Sequence, residues 1–101
     1  MESADSLDES YGNIFPEGSY GLVMKYVYIL QSLSREHFYT GITDDLVARL
    51  SKHNSGEVAH TSKFRPWRIK TYIEFTDESC AIAFEKYLKS GSGRAFAKAR
   101  I

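Results

Sequence analysis

Two short runs of aromatic and β-branched residues, separated by a polar segment, constrain the fold of this chain more than any other feature. Residues 25–30 (KYVYIL) and 37–42 (HFYTGI) each favour a β-strand. The polar stretch at 32–36 between them predicts a short loop, and therefore an antiparallel hairpin. Because side chains alternate across a strand, Tyr28 and Tyr39 are expected on one side of the sheet.

A helix is predicted next, over residues 45–54. Thr43 or Asp44 is the expected N-cap, since short polar side chains accept hydrogen bonds from the first free N–H groups of a helix. Gly56 suits the left-handed position that ends many helices. The polar connection at 57–67 is expected to include a short helical piece, and Trp67 at its end is expected in the core rather than on the surface.

The last part of the chain predicts a third strand and two further helices. Residues 68–75 alternate, which places Ile69, Thr71, Ile73 and Phe75 on one face. Thr76 or Asp77 is expected to cap a helix over 78–90, whose apolar stripe is read as Cys80, Phe84, Tyr87 and Leu88. Ser and Gly residues at 90–93 predict a break before a short terminal helix over 94–100.

Charge divides the chain into two parts. Residues 1–24 carry five acids and no Lys or Arg, whereas residues 25–101 carry all 13 basic residues and a net charge of +5. We therefore expect a disordered acidic leader at 1–24, followed by one basic domain at 25–101. Met24 is a candidate functional start, and the alternative is an acidic arm that covers the basic face. The basic domain is compatible with a polyanionic partner, but also with an ordinary soluble surface.

The location of the protein is expected to be cytoplasmic, with no membrane partner. The single cysteine, Cys80, cannot form an internal disulfide, which favours a reducing compartment. No basic segment followed by an apolar run marks a secretory signal. No apolar stretch reaches the roughly 18 residues of a membrane span.

The candidate functional residues are individually weak signals. A strand tyrosine is usually a packing residue, a helix arginine is usually a solvated charge, and a lone glutamate such as Glu85 is usually exposed. Arg49 and His53 lie four residues apart and so share one helix face. The order of these residues along the chain is more specific than any one of them.

That order resembles the GIY-YIG nuclease superfamily, and most closely its small stand-alone bacterial type, the uncharacterised UPF0213-like proteins. The resemblance covers nearly all of 25–101. It is carried by Tyr26-Val27-Tyr28, by Tyr39-Thr40-Gly41, and by three longer segments at 45–56, 63–67 and 84–91.

The resemblance implies an α/β (α+β) fold with a three-stranded antiparallel sheet flanked by helices, and a DNA endonuclease that uses one Mg²⁺ or Mn²⁺ ion. It places Tyr28 as the proposed general base and Tyr39 as the second catalytic tyrosine. Gly41 would keep the backbone clear at the scissile phosphate, and Arg49 would stabilise that phosphate. His53 lies where relatives carry histidine or tyrosine, and Glu85 takes the position of the one carboxylate metal ligand.

The sequence departs from the superfamily pattern at two positions. Tyr26 stands where the first triplet has glycine, and Ile42 stands where some repair nucleases have a lysine near the phosphate. Lys63 and Arg65 are expected to bind substrate. Either one could compensate for the missing charge, and the alternative is a lower activity.

The chemistry leaves several alternatives open. Since a phenol has a pKa of about 10, either Tyr28 or His53 is a candidate for the general base. The leading hypothesis is a metal-dependent endonuclease acting on structured or damaged DNA. Alternatives are a nucleic-acid binding module of the same fold without cleavage of its own, and a protein-interaction domain in which the tyrosines merely pack. A protein partner that supplies specificity is also expected.

Overall fold

The computed structural model describes residues 24–101. The predicted leader at 1–24 therefore lies, apart from Met24, outside the described residues. The elements follow the order β1 (Lys25–Ser32), β2 (Phe38–Thr43), α1 (Leu46–Ser55), a 3-10 helix (Ala59–Phe64), β3 (Trp67–Phe75), α2 (Glu78–Lys89) and α3 (Gly91–Arg100). This arrangement confirms the predicted three-stranded antiparallel sheet with flanking helices.

The central strand of the sheet is β1, which pairs antiparallel with β2 on one side and β3 on the other. Tyr28 lies opposite Gly41 on β2 and opposite Tyr72 on β3. A side chain on β1 is therefore flanked on both sides, and Tyr28 and Leu30 are 1% and 0% exposed. The predicted hairpin of β1 and β2 is confirmed.

A β-bulge in β3 changes which residues share a face. Ile29 pairs with Thr71 and Leu30 pairs with Ile69, so Lys70 has no partner of its own. The extra residue reverses the alternation, because the side-chain period of a strand is two. Ile69 consequently packs beside Leu30 and Phe75 packs beside Val27, on opposite faces of the sheet. The prediction that Ile69 and Phe75 share a face was wrong.

Each face of the sheet is covered by a separate apolar cluster. On one face, Tyr28, Leu30 and Trp67 pack with residues of α1 and the 3-10 helix, namely Leu46, Leu50 and Phe64. On the other, Val27 and Ile29 pack with residues of α2 and α3, namely Ala81, Phe84, Leu88 and Ala97. Trp67 is only 3% exposed, as expected for a core residue.

Helix α1 begins one residue later than predicted. Its N-cap is Asp45, whose carboxylate accepts from the Ala48 N–H, while Thr43 and Asp44 precede the cap. Asp45 has extended backbone angles (φ −146°, ψ 97°), which turn its side chain back over the first helical turn. Gly56 ends the helix with φ 89°, as predicted.

Helices α2 and α3 differ from the predictions in their stripe and their junction. Asp77 caps α2 as expected, but Cys80 and Tyr87 are exposed, and the buried positions are Ala81 and Leu88. Ser90 alone separates the helices, since its hydroxyl donates to the Tyr87 carbonyl and accepts from the Gly93 N–H. Helix α3 therefore begins at 91 rather than 94. None of the helices within 24–101 combines the length and apolar character that crossing a membrane requires.

Candidate functional site

Tyr28 is the buried centre of the candidate site, and Gly41 makes its position possible. A Cβ atom at position 41 would lie 2.5 Å from the Tyr28 hydroxyl oxygen and 2.6 Å from its Cζ. Strand pairing brings these two residues face to face across β1 and β2. The absence of a side chain at 41 thus leaves room for the phenol itself, beside the position where the resemblance implies a phosphate.

A chain of hydrogen bonds runs inward from the Tyr28 hydroxyl. It lies 3.1 Å from Nε2 of His53, and Nδ1 of His53 lies 2.9 Å from the hydroxyl of Thr61, which donates to the Val58 carbonyl. Because the Thr61 hydroxyl donates its one proton to that carbonyl, its oxygen accepts the hydrogen bond from Nδ1–H of His53. Nε2 then carries a lone pair, and the phenol donates to it.

Two more aromatic side chains surround this pair. The Tyr39 ring lies with its centroid 6.3 Å from that of Tyr28 and 4.9 Å from that of His53. The ring of His60 lies 5.6 Å from Tyr39 on the outer side. Tyr28 and Tyr39 therefore share a side of the sheet, as the alternation predicted. His60 is exposed and lies between Tyr39 and the solvent.

Burial controls the charge state of the central pair. It raises the pKa of Tyr28 to about 12, with a further increase from Tyr39, while the Arg49 guanidinium opposes the shift and the Glu85 carboxylate adds to it. Burial also lowers the pKa of His53, and the neighbouring Arg49 guanidinium and His60 ring lower it further. Both groups are consequently neutral near pH 7, as the hydrogen-bond direction requires.

Arg49 and Glu85 approach the same phenol from different elements. Arg49 projects from α1 near enough to act electrostatically on both Tyr28 and His53. Glu85 projects from α2, where its side chain is 15% exposed and its carboxylate raises the pKa of Tyr28. Its Oε2 lies 2.7 Å from the Lys89 ammonium. Tyr28, Tyr39 and His53 therefore contact one another, and the charges of Arg49 and Glu85 both act on the Tyr28 hydroxyl.

The donor set at Glu85 is compatible with a weakly held magnesium ion. Within 24–101 no three His, Cys, Asp or Glu side chains gather as a metal centre. Glu85 is the carboxylate whose charge raises the pKa of Tyr28. Mg²⁺ prefers oxygen, keeps several waters, and is often bound by one or two carboxylates together with substrate phosphates. A single glutamate can therefore supply the protein ligand that such an ion needs.

Lys63 lies in the 3-10 helix, and Arg65 is the C-cap residue that follows it. The Lys63 ammonium lies 5.5 Å from the centre of the Phe64 ring. Arg65 donates from Nε to the Ser62 carbonyl, 2.7 Å away, and its guanidinium packs against Gly56. Both side chains are exposed, so a role for either in substrate binding stays a prediction.

Thr61 and His60 are members of the site that the sequence patterns did not reveal. Thr61 is 2% exposed and is held by the 3-10 helix, whose position is secured when Trp67 donates from Nε1 to the Thr61 carbonyl. A threonine eight residues beyond His53 follows no helical or strand period. Only the folded 57–67 connection brings the two together.

Comparisons with known proteins identify the family of this chain. The model of the GIY-YIG catalytic domain matches residues 24–98. A UPF0213 protein of Lactiplantibacillus plantarum is 31% identical over 83 residues, covering 79% of this chain and 82% of that protein. One from Streptococcus pyogenes serotype M3 is 32% identical over 71 residues, covering 69% and 76%.

A solved structure adds a third similarity. The solution NMR structure of a UPF0213 protein from Bacillus halodurans is 30% identical, covers 75% of this chain and 83% of that chain, and superposes with a TM-score of 0.47. The family assignment depends on the sequence match, which spans all three strands and α1, α2 and most of α3. This chain belongs to the GIY-YIG catalytic domain family.

Proposed function

We propose that this protein is a metal-dependent endonuclease that hydrolyses DNA phosphodiester bonds, with structured or damaged DNA as its substrate. Membership of a nuclease family supports the reaction class. The observation that carries the proposal for this chain is the 3.1 Å contact between the Tyr28 hydroxyl and a buried, neutral His53, with Arg49 and Glu85 beside it.

The hydrogen-bond chain supports a role for Tyr28 and His53 as a proton relay. A phenol whose pKa is raised to about 12 is a weak base by itself, since almost none of it is ionised near pH 7. When the attacking water gives its proton to the Tyr28 oxygen, the phenol proton passes to Nε2 of His53. Thr61 keeps Nε2 free for that proton by accepting from Nδ1–H.

Arg49 is suited to hold the phosphate during the reaction. Its guanidinium stays protonated and offers parallel N–H groups that match two phosphate oxygens. Negative charge grows on those oxygens as water attacks, so a fixed cation stabilises the transition state by several kcal/mol, on the order of the ~3–4 kcal/mol found for single donors in other enzymes. The Tyr39 ring packs against the His53 ring and so holds that ring in place beside Tyr28.

Glu85 is the residue that would hold the divalent cation. When bound, Mg²⁺ or Mn²⁺ supplies Lewis acidity to the leaving oxygen. The Lys89 ammonium contacts the Glu85 carboxylate, and it would be able to pair with a DNA phosphate where that carboxylate binds the ion. The net charge of +5 on residues 25–101 favours DNA as the partner through its phosphates.

The test compares cleavage by the wild type and Glu85→Gln, with branched and nicked DNA in Mg²⁺ or Mn²⁺. Glu78→Gln, on the exposed start of α2, is the matched control because it removes one carboxylate from the same helix. We expect the wild type and the control to cut, and Glu85→Gln to lose at least about a hundredfold in rate, as expected for a group that carries the metal. Equal cutting by Glu85→Gln would refute the metal assignment.

A nucleic-acid binding module without cleavage is the second candidate. The raised pKa of Tyr28 favours it, because a phenol that stays neutral near pH 7 lacks the negative charge of an effective base. Ile42 in place of a lysine removes a further charge near Gly41. Salt-sensitive DNA binding, combined with no cutting under any metal tested, would select this function over the nuclease.

A further inference from the structure

A basic groove opens on the far side of the hairpin from α1. It lies between the start of β2 and the exposed side of α3, has a volume of about 1030 Å³, and has Ile29, Leu88 and Ala97 at its base. Five cationic side chains and one carboxylate, Glu36, line it: Arg35, Lys70, Lys89, Arg94 and Lys98. Such a concentration of positive charge in one cleft attracts a polyanion.

The bulge and helix α3 together create this charge. Lys70 is the unpaired residue of the β3 bulge, and its side chain reaches across to the Ile101 carbonyl. Arg94 and Lys98 lie four residues apart, so they share one face of α3, and that face lines the groove. The hydrophobic clusters use none of these long side chains, and Arg94 and Lys98 form no ion pair within residues 24–101.

An exposed aromatic ring stands among the cations. Phe38 is 52% exposed at the start of β2, and the Lys70 ammonium lies 6.0 Å from its ring centre. Cations that track a backbone, combined with an aromatic face that stacks bases, are the features by which proteins hold single strands. A duplex keeps its bases stacked inside, so only an unpaired strand offers both a base to Phe38 and phosphates to the cations.

The groove meets the cluster of Tyr28, Tyr39 and His53 at the β2 edge of the sheet, because Tyr39 belongs to both. Lys89 lines the groove and contacts Glu85, and Tyr39 lies on the boundary between the two. From this continuity we infer that the groove binds an unpaired DNA strand and guides it to Tyr28. The inference rests on the proposed nuclease function, and it narrows the substrate to DNA with a single-stranded arm beside the cut.

Binding without cleavage tests the groove independently of the nuclease. Fluorescence anisotropy in EDTA, with the full chain, measures the affinity for fluorescein-labelled oligothymidylate and for a blunt duplex. Arg94→Gln/Lys98→Gln removes two groove cations. Lys86→Gln/Arg100→Gln is the matched control, because it removes two exposed cations of α2 and α3 that do not line the groove.

We expect the groove variant to bind oligothymidylate about tenfold more weakly than the control, with equal duplex binding by the two variants. For the groove variant, the slope of log affinity for the single strand against log salt concentration should become shallower by about 1.4, since each of two lost phosphate contacts contributes about 0.7.

Phe38→Ala should weaken the binding of oligothymidylate about tenfold, because it removes a surface on which a base can stack. Phe96→Ala is its control, since Phe96 packs on Tyr87 outside the groove, and it should bind normally.

The inference would be overturned if the groove variant and its charge control lost equal affinity for oligothymidylate. It would also be overturned if Phe38→Ala bound the single strand as tightly as the wild type. Cleavage of a flapped duplex separates the two proposals. If the wild type cuts the flap and the groove variant matches its control in both binding and cutting, the groove assignment is wrong while the nuclease stands. If the wild type never cuts but the groove variant alone loses strand binding, the groove stands and the nuclease falls.

Discussion

Position 41 shows how one missing side chain shapes the candidate site. We expect Gly41→Ala to lower the free energy of unfolding by about 1–3 kcal/mol, because the added Cβ overlaps the buried Tyr28 ring. Urea denaturation measures the loss. Gly91→Ala is the control, since a Cβ there meets nothing within 4 Å, and its stability should be unchanged or slightly higher. Equal stability of both variants would show that the ring moves aside freely.

Thr61 is expected to act as a positioning residue through His53. Thr61→Val removes the acceptor of Nδ1–H, so His53 can place its proton on Nε2 and no longer accept from Tyr28. We expect the cleavage rate to fall about tenfold or more, in line with the contribution of a positioned base, with KM little changed.

The tautomer of His53 separates this role from simple packing. In ¹H–¹⁵N spectra the Nδ1–H form should dominate in the wild type and lose population in Thr61→Val. Thr61→Ser keeps the hydroxyl and should restore both the rate and the tautomer. A Val variant with an unaltered tautomer but a lower rate would contradict the positioning role.

The individual site residues were predictable to different degrees. Tyr28, Tyr39, Arg49 and His53 follow strand alternation and helix spacing, so their grouping on shared faces could be expected. Thr61 follows no period, and the function of Gly41 in making room for a phenol depends on the strand register. Contacts of this kind depend on the distance between atoms in space, which sequence separation does not report.

At the scale of elements, the N-cap of α1 offers a direct test. Asp45→Ala should cost about 1 kcal/mol of stability, because the Ala48 N–H loses its acceptor. Asp44→Ala is the control, since its exposed carboxylate lies 4.0 Å from Lys25 and should change stability by less than about 0.5 kcal/mol. Urea denaturation of both variants measures the free energy of unfolding. A larger loss of stability in Asp44→Ala than in Asp45→Ala would show that Asp44, as the sequence predicted, is the N-cap.

The elements themselves followed from periodicity, whereas their irregularities did not. Aromatic and β-branched runs predicted all three strands, and the capping residues predicted α1 and α2 to within two residues. The bulge at Lys70 has no signature in an alternating run, because every residue of 68–75 fits a regular strand. It arises from pairing with β1, and it moves Ile69 to the face of Tyr28.

At the scale of the whole molecule, the buried His53 links stability to pH. Its pKa is lowered in the fold from the ordinary 6.5, so the unfolded chain binds a proton more readily than the native one. The contribution of the neutral, buried His53 to the free energy of unfolding is therefore fully present above pH 6.5, and it is lost as the pH falls below that value. Thermal unfolding between pH 8 and pH 5.5 should show this decline in the wild type.

Two variants identify the histidine responsible. His53→Gln should be less stable overall but should show a flatter dependence on pH in this range. His60→Gln removes the smallest of the three contributions that lower the His53 pKa, so it should keep most of the slope of the wild type. If removing His53 leaves the slope unaltered, its burial is not what couples folding to protons.

The sequence by itself determined the three strands, the helices that cover them, and the faces on which the tyrosines and the Arg49–His53 pair lie. These features depend on local propensity and side-chain period, which neighbouring residues set. Tertiary structure alone decided the bond from His53 to Thr61, the approach of Glu85 to Tyr28, and the basic groove beside Phe38. Each requires segments distant in the chain to pack together, and packing depends on the register and the bulge of the sheet.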